Sequence, residues 1–343
     1  MAGPDVEIAV VGAGVMGLAT ARALAREGRD VVLLEQFTLS HDRGSSHGGS
    51  RIFRFSYPDQ NWVRLAREAL PLWRDLEAEA GEPLLELHGS VDLGDWGANR
   101  DALAAAAALF EVLDRGEAAR RFGLILEPGE QALFQPDGGI ALADRTLAAL
   151  AGSIRAHGGE LREEARVTVL TETGDGVRIE LEGSTVEARV AVVTAGPWAP
   201  RLVELPDAVP TRETTAYFDH DGPIPSLMDT TVEGGVIGYA LAAPGRGTKA
   251  SVHKTGLRTD PDETAEPDAA IAAAAGEWLA RRLPGFPAEP VHLETCIYTN
   301  LDDDRFVCER RGRVVVGSPC SGHGFKFAPL LGRNLARLAL ETL

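Results

Sequence analysis

The chain has 343 residues, 44% hydrophobic and 25% charged, which is long for one domain and of ordinary globular composition, so global disorder is excluded. Lys and Arg total 34 against 51 Asp and Glu, a formal charge of -17 that repels phosphate backbones and argues against a nucleic-acid partner. No apolar run approaches the roughly 18–20 residues of a membrane span, no leader precedes the first apolar run, and three cysteines (Cys296, Cys308, Cys320) cannot make a disulfide framework, so the expectation is a cytoplasmic enzyme.

Val6 to Val11 is a short run rich in β-branched residues, the pattern of a buried parallel strand. Gly12-Ala13-Gly14-Val15-Met16-Gly17 follows at once, then a helical stretch over 18–27 closed by Gly28, and a second buried strand over 30–35, ending in the acid Glu35. Gly12 permits the tight turn, Gly14 lets the backbone approach a pyrophosphate, and Gly17 lets helix and strand pack closely. The helix N-terminus offers free N–H groups to phosphates, and Glu35 stands where a carboxylate accepts bonds from an adenosine ribose. Strand, glycines, helix, strand and acid in this order specify dinucleotide binding. They do not separate NAD from FAD.

Gly44-Ser45-Ser46-His47-Gly48 satisfies the G-x-S-x-G pattern of serine hydrolases, but it lacks a strand before and a helix after, and precedes extended residues 52–55. Helices are predicted over 62–80, 101–113, 146–157, 269–283 and 329–343, and small antiparallel strands over 166–170, 177–181 and 185–188. Buried strands are predicted over 188–195, which Gly196-Pro197-Trp198 ends, and 314–316. No Cys-x-x-Cys or His-Glu-x-x-His motif points to zinc. Nucleotide-binding signals at both ends and in the middle predict an α/β Rossmann-like domain (1–81, 141–205, 297–343) interrupted by an α+β antiparallel-sheet substrate domain (82–140, 206–296).

Four further segments are more specific: 45–54 (Ser-Ser-His-Gly-Gly-Ser-Arg-Ile-Phe-Arg), 194–198 (Thr-Ala-Gly-Pro-Trp), 296–306 (Cys-Ile-Tyr-Thr-Asn leading to Asp-Asp-Arg-Phe) and 321–327 (Ser-Gly-His-Gly-Phe-Lys-Phe). In this order, along nearly the whole chain, they resemble the monomeric sarcosine oxidase and N-methyltryptophan oxidase family of D-amino-acid oxidase-like flavoproteins. The resemblance implies oxidation of the C–N bond of a secondary amino acid on FAD, with O2 reduced to peroxide and an imine released, by a monomer. A fructosyl-amino-acid oxidase is the alternative within the superfamily, and a catalytically silent flavin- or NAD-binding module is the alternative outside it.

By the same resemblance, Arg54 and Lys326 hold the substrate carboxylate, the first as a bidentate fork and the second as a point charge. Lys249 falls on the lysine at which oxygen is activated, and His253 on an active-site histidine. Arg51 and His47 fall on basic residues beside the flavin ring, and Tyr298 on a pocket tyrosine. Cys296 falls on the flavinylated cysteine, the expected thioether to the FAD 8α-methyl, with Arg51 and His47 as the bases that favour its thiolate. Cys320 and Cys308 are weaker candidates for that link. Further FAD contacts are implied at Gly12, Gly14, Gly17, Glu35, Ser45, Ser46, Val167, Gly196, Trp198, Gly322, Gly324 and Phe325. The sequence departs from the pattern at Ile237, where a pocket tyrosine is expected before Gly238, at Gly49 in place of an aspartate, and in a trimmed 82–140 insert and tail. A pocket short of one hydroxyl is expected to admit a bulkier or less polar amine.

Overall fold

The computed structural model describes residues 4–39, 41–205, 207–318 and 321–343. Its first sheet has eight strands, running Val167–Glu172, Val177–Leu181, Ser184–Val193, Val6–Val11, Val31–Leu34 and Glu160–Arg162 in spatial order. Val6–Val11 pairs in parallel with both Val31–Leu34 and Ser184–Val193, and is buried on both faces from Ile8 onward, where its sequence is apolar without a break. Ser184–Val193 is a single ten-residue strand rather than two. Its first half pairs antiparallel with Val177–Leu181, and its second half takes Val314–Val316 in parallel on the same side. The chain therefore continues through Ala188, because a new partner takes over where the old one ends.

The helix Val15–Arg26 lies on this sheet, packed against Ala143–Ala156 and Ala328–Leu340. Two glycines set its height. Gly12 has φ +96°, and a Cβ there would come within 2.9 Å of the Ala195 Cα. A Cβ on Gly17 would lie 1.8 Å from the Gly12 carbonyl oxygen, so only glycine allows the helix to sit this close to the turn.

The second sheet has nine strands and is mostly antiparallel, built around Val209–Phe218, Gly247–His253, Val236–Ala243 and Ser226–Val232. One parallel pair joins Ser226–Val232 to Ser90–Leu93. His292–Asn300 pairs with Val209–Phe218 along its whole length and runs unbroken through position 296/297. Ala269–Arg282 covers one face of this sheet, with Trp278 and Leu279 buried against it. A small third sheet joins Ser50–Phe53, Gly139–Leu142 and Leu85–Glu86.

The helix expected over 101–113 is shorter and earlier: it spans Gly97–Ala105, and the chain turns at Ala107 (φ 51°) into the strand Glu111–Leu113. Alanine composition gives no stop signal, whereas pairing of that strand with Ala132–Gln135 supplies one. The other predicted helices stand where periodicity places them, within a turn at their ends, and Arg115–Phe122 is a helix that was not predicted. Gln60–Ala80, for example, opens on Asp59, whose side chain accepts from Asn61 N, and closes on left-handed Gly81. No described helix is long and apolar enough to cross a membrane.

Candidate active site

Four parallel strands of the first sheet end at one place. Gly12, Glu35, Thr194 and Gly317, each the residue after a strand, line one cavity. Ligands of open parallel sheets bind at these carboxyl ends.

At the glycine turn, Glu35 is buried, and its two oxygens accept from the amides of Ala13 (2.7 Å) and Phe37 (3.0 Å). Each oxygen keeps a lone pair for a further donor. Ser46 Oγ accepts from Val15 N at 3.1 Å, closing the open N-terminus of the helix. The G-x-S-x-G serine is thus a helix cap in a loop, and the nucleophile elbow is absent. Gly14, Ser45, Val167, Gly196 and Trp198 line the same cavity. Gly17 does not line the cavity: it packs beneath the turn, and its contribution is to let the turn form.

The loop 44–49 then carries the chain beneath the second sheet. Arg51 donates to the carbonyls of Ser45 (2.7 Å), His47 (2.6 Å) and Ser50 (2.8 Å) and lies 5.8 Å from the Phe325 ring centroid. Three carbonyls fix the guanidinium without cancelling its charge. His47 is different from its expectation: burial and the Arg51 cation push it down to about 4, so it is neutral at pH 7 and adds no positive charge. Its Nε2 is buried with no hydrogen-bond partner.

Lys249, His253, Cys296 and Tyr298 project from two strands that flank Val209–Phe218. The alternation of a strand puts Lys249 and His253 on one face, and likewise Cys296 and Tyr298. Lys249 is 5% exposed, and burial followed by Arg51 lowers it to about 8, with Glu294 opposing. His253, 5.5 Å from the Tyr298 ring, falls to about 4 through burial and then Lys254, Arg54 and Lys326. Burial raises the Cys296 thiol, against the pull of Arg51 and Lys249. His47 is not among the groups that favour its thiolate, so Lys249 takes the place expected for it. Cys308 does not line the cavity, and burial pushes its thiol up to about 11; Cys320 lies outside the described residues.

At the far end stand Arg54 and Lys326. Arg54 lies over the Tyr57 ring at 4.7 Å, with Nη1 3.5 Å from Asp92 Oδ1. Lys326, 5% exposed, donates to the Tyr57 hydroxyl at 2.8 Å and to the His323 carbonyl at 2.9 Å. The Tyr57 hydroxyl is 3.4 Å from His323 Nδ1, and His323 Nε2 is 3.0 Å from the Asp304 carbonyl. Those contacts run in one direction, from ammonium to phenol to neutral imidazole to carbonyl. Burial and then Lys326 keep His323 neutral, down at about 3, and burial raises Tyr57 to about 12. Gly322, Gly324 and Phe325 line the cavity beside them.

Ile237 does not line the cavity. Tyr239 and Leu241, on the same strand face, do. The strand places its tyrosine two residues later than expected, so the pocket keeps its hydroxyl, and the inference of a less polar amine loses its ground. Tyr57, Tyr239, His323, Asp92 and Glu294 were not singled out as site residues from the sequence. One signal was available: the chain has only three lysines against 31 arginines, and two of the three, Lys249 and Lys326, are buried in this cavity.

A parallel sheet that ends on a glycine turn and a buried acid, under a sheet that hangs cations over the remaining space, defines a dinucleotide-dependent redox enzyme. The chain belongs to the FAD dependent oxidoreductase (DAO) family, which it matches over residues 7–338. It is 32% identical to peroxisomal sarcosine oxidase of Homo sapiens, covering 97% of this chain and 91% of that protein. It is also 32% identical to monomeric sarcosine oxidase of Streptomyces avermitilis, covering 98% and 94%. A crystal structure of NikD, an unusual amino acid oxidase essential for nikkomycin biosynthesis, superposes with a TM-score of 0.90 at 28% identity, over 98% of this chain and 94% of that one. The cavity fits FAD on its own terms: a glycine turn and Glu35 suit the adenosine half, while the unpartnered His47 Nε2 and the Arg51 cation face the space where a flavin ring has room.

Proposed function

We propose that the protein is an FAD-dependent oxidase of a secondary amino acid, N-methyl or cyclic, that releases an imine and reduces O2 to H2O2. The observation that carries this reading is the pairing of Arg54 with Lys326 at the end of a cavity that begins at the dinucleotide turn. Two cations of different geometry in a buried, aromatic pocket suit a carboxylate. The names of the sarcosine oxidase relatives support the same substrate class. FAD, when bound, accepts two electrons and a proton from the carbon next to nitrogen and passes the electrons on.

The chain's own residues then have separable tasks. Residues 1–81, 141–205 and 297–343 hold the cofactor, with Gly12, Gly14 and Glu35 at the adenosine end. Arg54 and Lys326 orient the substrate, with Tyr298, Tyr239 and His253 as uncharged walls. Arg51 favours negative charge on the ring system, and Lys249 stabilises the negative charge that O2 takes up as it is reduced. Cys296 tethers the flavin by a thioether to its 8α-methyl carbon; the two hydrogens lost from thiol and methyl leave with O2 as H2O2. Arg51 and Lys249 support this assignment, because they are the groups that favour the thiolate. The enzyme works as a cytoplasmic monomer.

A screen of N-methyl and cyclic amino acids for peroxide release tests the activity. Release with none of them, from protein that carries FAD, rejects it. An acid-denatured sample that sheds its yellow colour, or carries the flavin mass on a peptide without Cys296, rejects the tether alone.

A further inference from the structure

Lys249 is held from behind. Its Nζ is 3.5 Å from Glu294 Oε1, which also accepts from the Tyr217 hydroxyl at 2.5 Å, while Arg246 Nη1 is 3.5 Å from the other oxygen, Oε2. Glu294 stands two residues before Cys296 on His292–Asn300, so the two side chains share a face of that strand. Lys249 lines the cofactor cavity, whereas Glu294 and Arg246 line a second cavity on the other side of Cys296 and His47. The ion pair thus crosses the wall between the two spaces. The Tyr217 ring, with Lys249 Nζ 5.6 Å and the Arg246 guanidinium 4.2 Å from its centroid, fills the remaining side.

A buried ammonium beside Arg51 has two reasons to lose its proton, desolvation and like charge. The groups that face it are Arg51 and neutral His47 from the 44–53 segment, Tyr217 from the paired strand, Arg246 from the preceding turn, and Glu294 and Cys296 from His292–Asn300. Glu294 is the carboxylate among them. Burial pushes Glu294 up, but Lys249, Tyr217 and Arg246 outweigh it and hold it below the usual range. Glu294 is therefore ionised where Lys249 needs a counter-charge.

We propose that Glu294 is a positioning residue for Lys249, which it points into the cofactor cavity and keeps charged. This rests on the reading that Lys249 serves the reduction of O2. The sign follows from the geometry: with Glu294 neutral, Lys249 gives up its proton at lower pH, and the oxidative half-reaction loses its cation.

The test uses FAD-loaded wild type, Glu294→Gln and Lys249→Met. Because the chain has three lysines, 15N labelling of lysine Nζ gives a spectrum in which Lys249 is identified by its loss in Lys249→Met. The Nζ titration midpoint is expected to fall by about one pH unit or more in Glu294→Gln. Enzyme reduced with dithionite and mixed with oxygenated buffer at pH 8 is expected to reoxidise at least about five-fold more slowly in Glu294→Gln, with the alkaline limb of the rate profile moved to lower pH. An unchanged midpoint overturns the proposal, as does an unchanged rate while Lys249→Met is slow. If Lys249→Met itself reoxidises normally, the reading of Lys249 fails instead, and the proposal with it. Should Glu294→Gln not fold, the wild-type titration decides: a Lys249 midpoint below about 7 shows an ammonium without effective counter-charge and overturns the proposal.

Discussion

Three histidines in the site are held neutral by burial and by nearby cations: His47 and His253 at about 4, and His323 at about 3. Each folded-state value lies below the ordinary histidine value of 6.5. The unfolded chain then binds more protons, so the stability these groups confer is full above pH 6.5 and is lost as pH falls toward 4 and 3. The loss is on the order of 3 kcal/mol per histidine across that window. Urea unfolding at pH 7, 6 and 5 measures it, and we expect a steep decline that His323→Asn flattens; a flat profile would show that these rings are charged in the folded protein. Arg54→Ala and Lys326→Ala are each expected to raise KM by about 30-fold or more, for a loss of about 2–4 kcal/mol, with FAD retained. Steady-state kinetics with the best substrate check this, and an unmoved KM in both places the carboxylate elsewhere.

Among the elements, the helix Ala269–Arg282 is fastened to the second sheet by one buried cation. Arg282 donates through Nε to Asp229 at 2.8 Å and through both terminal nitrogens to Glu130 at 2.8 Å, and Trp278 Nε1 also donates to Asp229 at 2.8 Å. Asp229 is fully buried, so Arg282→Met leaves a carboxylate without its cation in a dry place. We expect a loss of about 3–5 kcal/mol by denaturant unfolding, and recovery of part of it when Asp229→Leu is added. A cost below about 1 kcal/mol would show that water reaches the pair. The periodicity of these elements was legible in advance: the strand Val6–Val11, the helix read over 62–80 with its Gly81 end, and the late strand Val314–Val316 all follow from local signals. What local signals missed are the end of Gly97–Ala105 and the continuity of Ser184–Val193. Both are set by strand partners far away in sequence.

Across the molecule, the same division explains the site. The glycine turn and Glu35 are contiguous, so their meaning is readable from 35 residues. Arg54, Lys249, Cys296 and Lys326 are scattered over 270 residues, and only their resemblance to family segments, or the scarcity of lysine, marks them in the sequence. Tyr57 and Glu294 carried no such mark, since their importance lies in touching Lys326 and Lys249 across the fold. Tyr239 takes the cavity position read for Ile237: the two side chains share a face of Val236–Ala243, and the stretch from Tyr239 to Leu241 is the part of that face that lines the cavity. If a carboxylate-bearing secondary amine is oxidised on FAD in this cavity, anaerobic stopped-flow reduction of the FAD-loaded protein should distinguish an N-methyl amino acid from the same amine without its carboxylate. The first is expected to bleach the flavin absorbance, which returns on admitting O2 with one equivalent of peroxide, while the second bleaches it at least about 30-fold more slowly at equal concentration. Equal rates for both amines, or no bleaching by any carboxylate-bearing secondary amine, would contradict that reading.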